Sequence, residues 1–253
     1  MGILNITPDS FSDGGKFFSP EKAIEHAFEI QAQGADLLDI GAFSTRPGHT
    51  EISVEQEIER LMPVLEAIKG KLSIPVSIDT FNPETADAAL NVYADIINDV
   101  SGNVAPEMAE VVKKHNAGWM IMHNGGAGGR DIIKEINDFF AYAVNKCDEY
   151  GIDREYISLD CGFGFGKVHD ENLRILANFE KLNKHGCALT AALSRKRMLG
   201  EITGRDAPLR LEETLAADTA AILFGADIIR VHDVASGVYA ARTADEIKKY
   251  REV

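Results

Sequence analysis

The sequence predicts an α/β fold of the (βα)8 TIM-barrel class. Three observations carry that expectation. Short apolar runs alternate with helical patterns eight times, the runs close on polar residues, and 253 residues suit eight strand-helix units at the usual ~250. An open, doubly wound sheet is the alternative. It usually has fewer strands and gives a weaker reason for a polar residue at every carboxyl end.

The elements follow in order. Met1–Leu4 is a strand closing on Asn5, and TPDSFSDGG after it is a long polar loop. Pro20–Gln33 carries Ala23, Ile24, Ala27, Phe28 and Ile30 at helical spacing, with Ser19 as N-cap and Pro20 at the first helical position. Strand Ala35–Ile40 leads through GAFSTRPGHT to helix Val54–Lys69, capped by Ser53. Strand Ile74–Ile78 closes on Asp79, helix Pro83–Leu90 follows, and strand Asp95–Ile97 closes on Asn98. Helix Ala105–Asn116, strand Trp119–Met122 closing on His123, a mobile NGGAGGR loop and helix Ile132–Tyr150 come next. Strand Tyr156–Leu159 closes on Asp160 before CGFGFGK, then helix Glu171–Lys184 and strand Cys187–Leu193 bring Ser194, Arg195 and Lys196. Helix Leu211–Phe224, strand Asp227–Val231 around Arg230 and ending at His232, and helix Thr243–Tyr250 complete eight strands and eight helices. No linker interrupts them, so residues 1–253 are expected to be a single domain.

A net charge of -14 argues against nucleic-acid and anionic-membrane partners. An anionic small molecule then needs a local cationic pocket. Cys147, Cys161 and Cys187 are odd in number and widely spaced, which indicates neither a disulfide framework nor a zinc site and favours a reducing cytoplasm. No run approaches the ~18 apolar residues of a membrane span.

In a (βα)8 barrel the loops after the strands share one face, so the polar residues at the strand ends are expected to meet. Asn5, Asp79, Asn98, His123, Asp160, Lys196, Arg230 and His232 belong to this set, with Arg46 in the second loop. Asp79, ahead of Thr80 and Pro83, is equally compatible with a helix cap, and Asn98 with a turn. Asp160 precedes a glycine-rich loop, which capping explains less well. Arg46, Lys196 and Arg230 at one mouth of an acidic protein point to an anion site. Lys167 is read as an ordinary surface cation. CGFGFGK has neither P-loop nor G-x-G-x-x-G spacing. Two carboxylates and an amide deep at strand ends suit a flat heterocycle with several N-H donors, and the cations suit a phosphate or diphosphate.

MGILNITPDSFSDGG, STRPG, PVSID, IINDVSG, GFGFGK, SRK and IIRVHDV occur in the order found in dihydropteroate synthases, and over essentially its whole length the chain resembles that family. The resemblance implies a homodimeric barrel that joins 6-hydroxymethyl-7,8-dihydropterin diphosphate to p-aminobenzoate, giving 7,8-dihydropteroate and diphosphate, with Mg2+ on the leaving group. It implies that Asp79, Asn98, Asp160, Phe165 and Lys196 hold the pterin, and that Asn5, Arg46, Arg230 and His232 hold the diphosphate, with Mg2+ near Asn5. It implies that Asp79, Asp160, Lys196 and Arg230 carry catalysis. Phe11, Thr45, Pro47, Ser194 and Lys196 would form the p-aminobenzoate pocket, and Asp9 and Asp13 belong to a lid. The sequence departs from the family at Ala42 and Phe43 (usually Gly and Glu), at Cys161 (usually Pro), at Ala192 (usually Gly) and at Glu213 (commonly Gly). A non-catalytic pterin-binding paralogue, or a pterin-dependent methyltransferase domain, is the alternative function.

Overall fold

The computed structural model describes residues 1–6, 20–43 and 52–250. Among these residues eight strands alternate with nine α-helices, and the strands follow one another in a single sheet in the order β1 to β8. That order is the one a (βα)8 barrel requires. Contacts group the chain into two compact units, Met1–Asp99 with Ala105–Trp119 and Val100–Val104 with Met120–Val253.

In the first unit, β1 (Gly2–Asn5), β2 (Leu38–Gly41), β3 (Val76–Asp79) and β4 (Ile96–Asp99) pair in parallel. Helices α1 (Pro20–Ala32), α2 (Val54–Ile68), α3 (Pro83–Val92) and α4 (Pro106–His115) connect them and lead to β5 (Gly118–Met122). α2 starts where expected because Ser53 Oγ accepts from Gln56 N (3.3 Å) while Gln56 Oε1 accepts from Ser53 N (3.1 Å). It buries Leu61, Val64, Leu65 and Ile68, each worth about 1.5–3 kcal/mol. The expected cap of α1, Ser19, lies outside the described residues.

In the second unit, α5 (Ile132–Tyr150) has the limits read from the sequence: Asp131 caps it through Ile133 N (3.0 Å), and left-handed Gly151 ends it. β6 (Ile157–Asp160), α6 (His169–Ala177), β7 (Ala188–Ala191), α7 (Arg197–Thr203), α8 (Leu211–Leu223), β8 (Ile228–Ile229) and α9 (Val234–Lys248) follow. Three differences from expectation have local causes. α6 stops at Ala177, where Asn178 Nδ2 donates back to Arg174 O and buried Phe179 turns away to stack on Phe163 with centroids 6.2 Å apart. α7 is an added helix whose N-cap, Lys196, makes no side-chain cap bond, so no start signal marks it in the sequence. α9 begins nine residues before Thr243, and its Gly237 reads as a breaker but sits where a Cβ would be 3.1 Å from Val231 Cγ2. Close packing, not a turn, needs that glycine.

In the first unit Asn5 and Asp79 are the last residues of their strands, and Asn98 is the last but one of β4. Asn5 pairs with Gly41, Gly41 with Asp79, and Asp79 with Asn98, so one row of the first unit carries all four. In-register residues of parallel strands share a sheet face, and the ladder fixes the direction of each side chain.

Candidate active site

The row ending in Asp79 and Asn98 is buried, at 9% and 4% exposure. Gly41 leaves room between its neighbours: a Cβ there would lie 3.7 Å from Asn5 Oδ1 and 3.8 Å from Asp79 Oδ2, so both side chains lean over the same spot. One layer below, Asp39 accepts from Asn98 Nδ2 (3.2 Å) and sets the amide's orientation. Sequence reasoning missed Asp39, because it lies inside an apolar run; its period-2 spacing from Gly41 was the available signal. Asp79 does not cap α3. That position belongs to Asn82, whose N-H donates to Thr80 Oγ1 (3.1 Å) and whose Nδ2 donates to Glu57 Oε2 (2.7 Å). Beyond the row, Phe43 meets Phe81 edge-on, centroids 5.4 Å apart.

In the second unit Asp160 ends β6 and is buried. Burial pushes its carboxyl up from the usual carboxylate range, opposed by the Gly162 N-H at 2.7 Å from Oδ1 and by the charges of Lys196, Lys167 and Arg230. Gly162 has φ +68, and a Cβ there would collide with the His123 carbonyl oxygen, so only glycine allows this tight return of the chain. Phe165 lies beneath Lys196, whose Nζ is 4.6 Å from the ring centroid, a cation-π geometry that fixes the ammonium. His123 is buried and packs edge-on against Phe139; burial first, then the charge of Lys167, lowers its imidazole to about 4. It is therefore neutral at physiological pH.

Lys167 is not a surface residue. It is 5% exposed, and its Nζ donates to Gly162 O (2.9 Å), His123 O (3.1 Å) and Phe165 O (3.3 Å). The segment before it is tied to α6: Asn172 accepts from Gly164 N (2.8 Å) and donates to Lys167 O (3.2 Å) and Val168 O (2.8 Å). The NGGAGGR segment is likewise bonded rather than loose in its first half. Gly125 N donates to Phe165 O (3.2 Å), and Ala127 N to Glu171 Oε1 (2.8 Å).

The segments after β7 and β8 are fastened to each other. Ser194 Oγ accepts from His232 N (3.1 Å) and lies 3.0 Å from His232 Nδ1. Arg195 forks onto Asp233 with Nε-Oδ2 3.0 Å and Nη2-Oδ1 2.7 Å, from a left-handed backbone at φ +58. Thr214 Oγ1 receives its N-H (3.0 Å), and Arg210 Nη1 donates to Arg195 O (3.0 Å). Arg230 follows β8, its N-H bonded to Ala191 O (3.1 Å). The unit thus brings Asp160, Phe165 and Lys196 together, and joins Ser194 to His232. Cys161 is fully buried with its thiol pushed well above 9 by burial, and Ala192 directly follows β7. Asp9, Phe11, Asp13, Thr45, Arg46 and Pro47 lie outside the described residues.

Parallel strands that end in buried polar residues, each followed by a helix, define the class of (βα)8-barrel enzymes. Residues 1–232 match the pterin binding enzyme family. A dihydropteroate synthase of Clostridium beijerinckii is 39% identical over 250 residues, covering 98% of this chain and 93% of the relative. A dihydropteroate synthase structure from Clostridium difficile, obtained in the presence of pteroic acid, superposes with a TM-score of 0.93 at 41% identity, over 99% and 96% of the two chains. That of Xanthomonas albilineans in complex with 7,8-dihydropteroate gives 0.90 at 36% identity, over 99% and 93%. The chain belongs to the pterin binding enzymes and, within them, to the dihydropteroate synthases, which are transferases. Among the described residues no helix is long and apolar enough to cross a membrane.

Proposed function

We propose that these strand ends bind 6-hydroxymethyl-7,8-dihydropterin diphosphate and join it to p-aminobenzoate. The activity is that of a dihydropteroate synthase, an alkyl transfer yielding 7,8-dihydropteroate and diphosphate. The observation that carries the assignment of residues is the Lys196 ammonium held over Phe165 with buried Asp160 in its field. Toward the pterin we assign Asp79 and Asn98 as acceptor and amide, together with Asp160, Phe165 and Lys196. Ring N-H groups paired to buried carboxylates leave no acceptor stranded when water is excluded. Toward the diphosphate we assign Asn5, Arg46, Arg230 and His232, and toward p-aminobenzoate Phe11, Thr45, Pro47, Ser194 and Lys196, with Asp9 and Asp13 on a closing loop.

The bond between the pterin methylene carbon and the diphosphate oxygen breaks, and the pterin ring delocalises the resulting positive charge. The aniline nitrogen attacks that carbon and releases a proton. In this reading Arg230 and His232, assigned to the diphosphate, oppose the charge that develops on the leaving oxygens. Water exclusion protects the cation from capture.

Mg2+ is the cofactor we assign. Among the described residues no three His, Cys, Asp or Glu side chains gather as a metal set. The Asn5 amide oxygen beside Asp79 Oδ2 fits a hard cation that brings most of its ligands as water and phosphate. When bound, Mg2+ would neutralise charge on the diphosphate. Asn5 would hold it. We read residues 1–253 as one pterin-binding domain, acting as a homodimer that sedimentation equilibrium can check. Three free, buried cysteines suit a reducing cytoplasm.

The test is product formation from the pterin diphosphate, p-aminobenzoate and Mg2+, followed by mass. We expect 7,8-dihydropteroate. A protein that binds pterin yet forms none of it would instead support the binding-only paralogue. Methyl transfer is disfavoured because it gives the Ser194–Lys196 and Arg230–Asp233 segments no role.

A further inference from the structure

The glycine-rich segment after β6 carries a lysine that neither phosphate binding nor surface solvation explains. Lys167 Nζ makes three hydrogen bonds, all to carbonyl oxygens: His123 at the end of β5, and Gly162 and Phe165 in its own segment. A protonated amine has three donors, so each meets one acceptor; the neutral amine has two donors and turns a lone pair toward a carbonyl. The three acceptors are therefore matched to the ammonium. They also sit at informative places. Gly162 N holds Asp160 Oδ1 at 2.7 Å, and Phe165 is the ring beneath Lys196.

We infer that Lys167 is a positioning residue for pterin binding: its ammonium locks the segment between β6 and α6 onto the end of β5, so that Asp160 and Phe165 present one fixed geometry to the ring. The inference rests on the pterin assignment made above and deepens it. The groups that face the ammonium are Asp160 of β6, Cys161 just after it, Glu171 of α6 and His123 after β5. Glu171 is already engaged, Oε1 by Ala127 N (2.8 Å) and Oε2 by Val168 N (3.0 Å). Burial lowers the Lys167 ammonium to about 8, against the smaller raising effects of Cys161, Asp160 and Glu171. The lock is thus charged at neutral pH and released a little above it.

Loss of the amine need not unfold the segment. Phe165 N also donates to Gly162 O (3.1 Å), and Gly125 N to Phe165 O (3.2 Å), so the main-chain bonds remain. Lys167→Met keeps the shape of the stem and removes all three donors. The experiment is calorimetric titration of wild type and Lys167→Met with 6-hydroxymethyl-7,8-dihydropterin from pH 6.5 to 9.5, with circular dichroism on both proteins. We expect Lys167→Met to bind about 10- to 100-fold more weakly at pH 7, as expected for loss of a charged hydrogen-bonding group. We expect the ratio of the two dissociation constants, in which ionisation of the ligand cancels, to fall toward one above pH 8.

A ratio that stays constant with pH overturns the inference, because a stem that only fills space gives no pH dependence. Equal affinities at pH 7 overturn it as well. Lys167→Arg, which keeps the charge, should retain affinity within about fivefold where Lys167→Met does not. If Lys167→Met fails to fold, Lys167→Arg, charged throughout, is the reference: a ratio of wild-type to Lys167→Arg dissociation constants that does not rise as pH passes 8 overturns the inference. Wild type that binds no dihydropterin at pH 7 removes the pterin assignment and this inference together; wild type that binds while Lys167→Met matches it removes this inference alone.

Discussion

His123 is a histidine that its surroundings keep uncharged. With its imidazole lowered to about 4 in the folded chain and near 6.5 when unfolded, the unfolded state binds the extra proton between those values. Stability from this residue is complete above pH 6.5 and is lost as pH falls toward 4, by up to about 3 kcal/mol at 1.36 kcal/mol per pH unit. Urea unfolding at pH 7 and pH 4.5 should show that loss in the wild type and less of it in His123→Gln; identical pH dependence in both would contradict the assignment. Lys196 and Arg230 are expected to act on turnover rather than folding. Either alanine variant should lose at least ~100-fold in rate with an unchanged circular dichroism spectrum. Rates near wild type in either would remove that residue from the site. At this scale the sequence was informative where an apolar run stops, as at Asn5, Asp79, Asn98 and Asp160. It was silent where a polar residue hides within the run, as with Asp39, and it misled at Lys167, because nothing local reveals three carbonyls gathered from two segments.

Among the elements, the turn after β7 is fastened by several side-chain bonds, and the fastening includes a strained residue. A left-handed backbone at a residue with a Cβ costs about 1–2 kcal/mol, and at Arg195 the fork to Asp233 and the Thr214 bond hold it. Arg195→Gly separates the two effects, since glycine adopts that backbone freely but has no fork. We expect Arg195→Gly and Asp233→Asn to fold and to lose kcat/KM for the diphosphate substrate by roughly 10-fold, as Ser194 and His232 lose their common frame. Activity in Arg195→Gly equal to wild type would assign Arg195 a backbone role only. The fork joins residues 38 apart, which is why SRK and VHD read in sequence as separate motifs. α7 and the first part of α9 were illegible for a related reason. One has no cap signal, and the other has a glycine whose purpose is to let Val231 approach.

For the whole molecule, alternation of strand and helix was enough to reach the barrel class, because a parallel strand can be followed in sequence only through a crossover. What alternation did not reveal is register. The row Asn5, Gly41, Asp79, Asn98 exists because four strands pair in one register, and register depends on pairing between distant segments. Two of the departures read in the sequence lie just past that row, since Ala42 and Phe43 follow Gly41, while Ala192 follows β7. On a chain of net charge -14, Lys196 and Arg230 after strand ends are the local cations that the anionic substrate proposed above needs.

In the function proposed above, buried carboxylates at strand ends hold the heterocycle. Calorimetry with 6-hydroxymethyl-7,8-dihydropterin on wild type, Asp79→Asn and Asp160→Asn tests it most directly, since the ligand carries no diphosphate and the substitutions preserve shape. We expect a loss of affinity of about 10- to 150-fold in each variant, corresponding to about 1.5–3 kcal/mol for a hydrogen bond to a charged group, with thermal unfolding unimpaired. Affinities equal to wild type in both variants would contradict it.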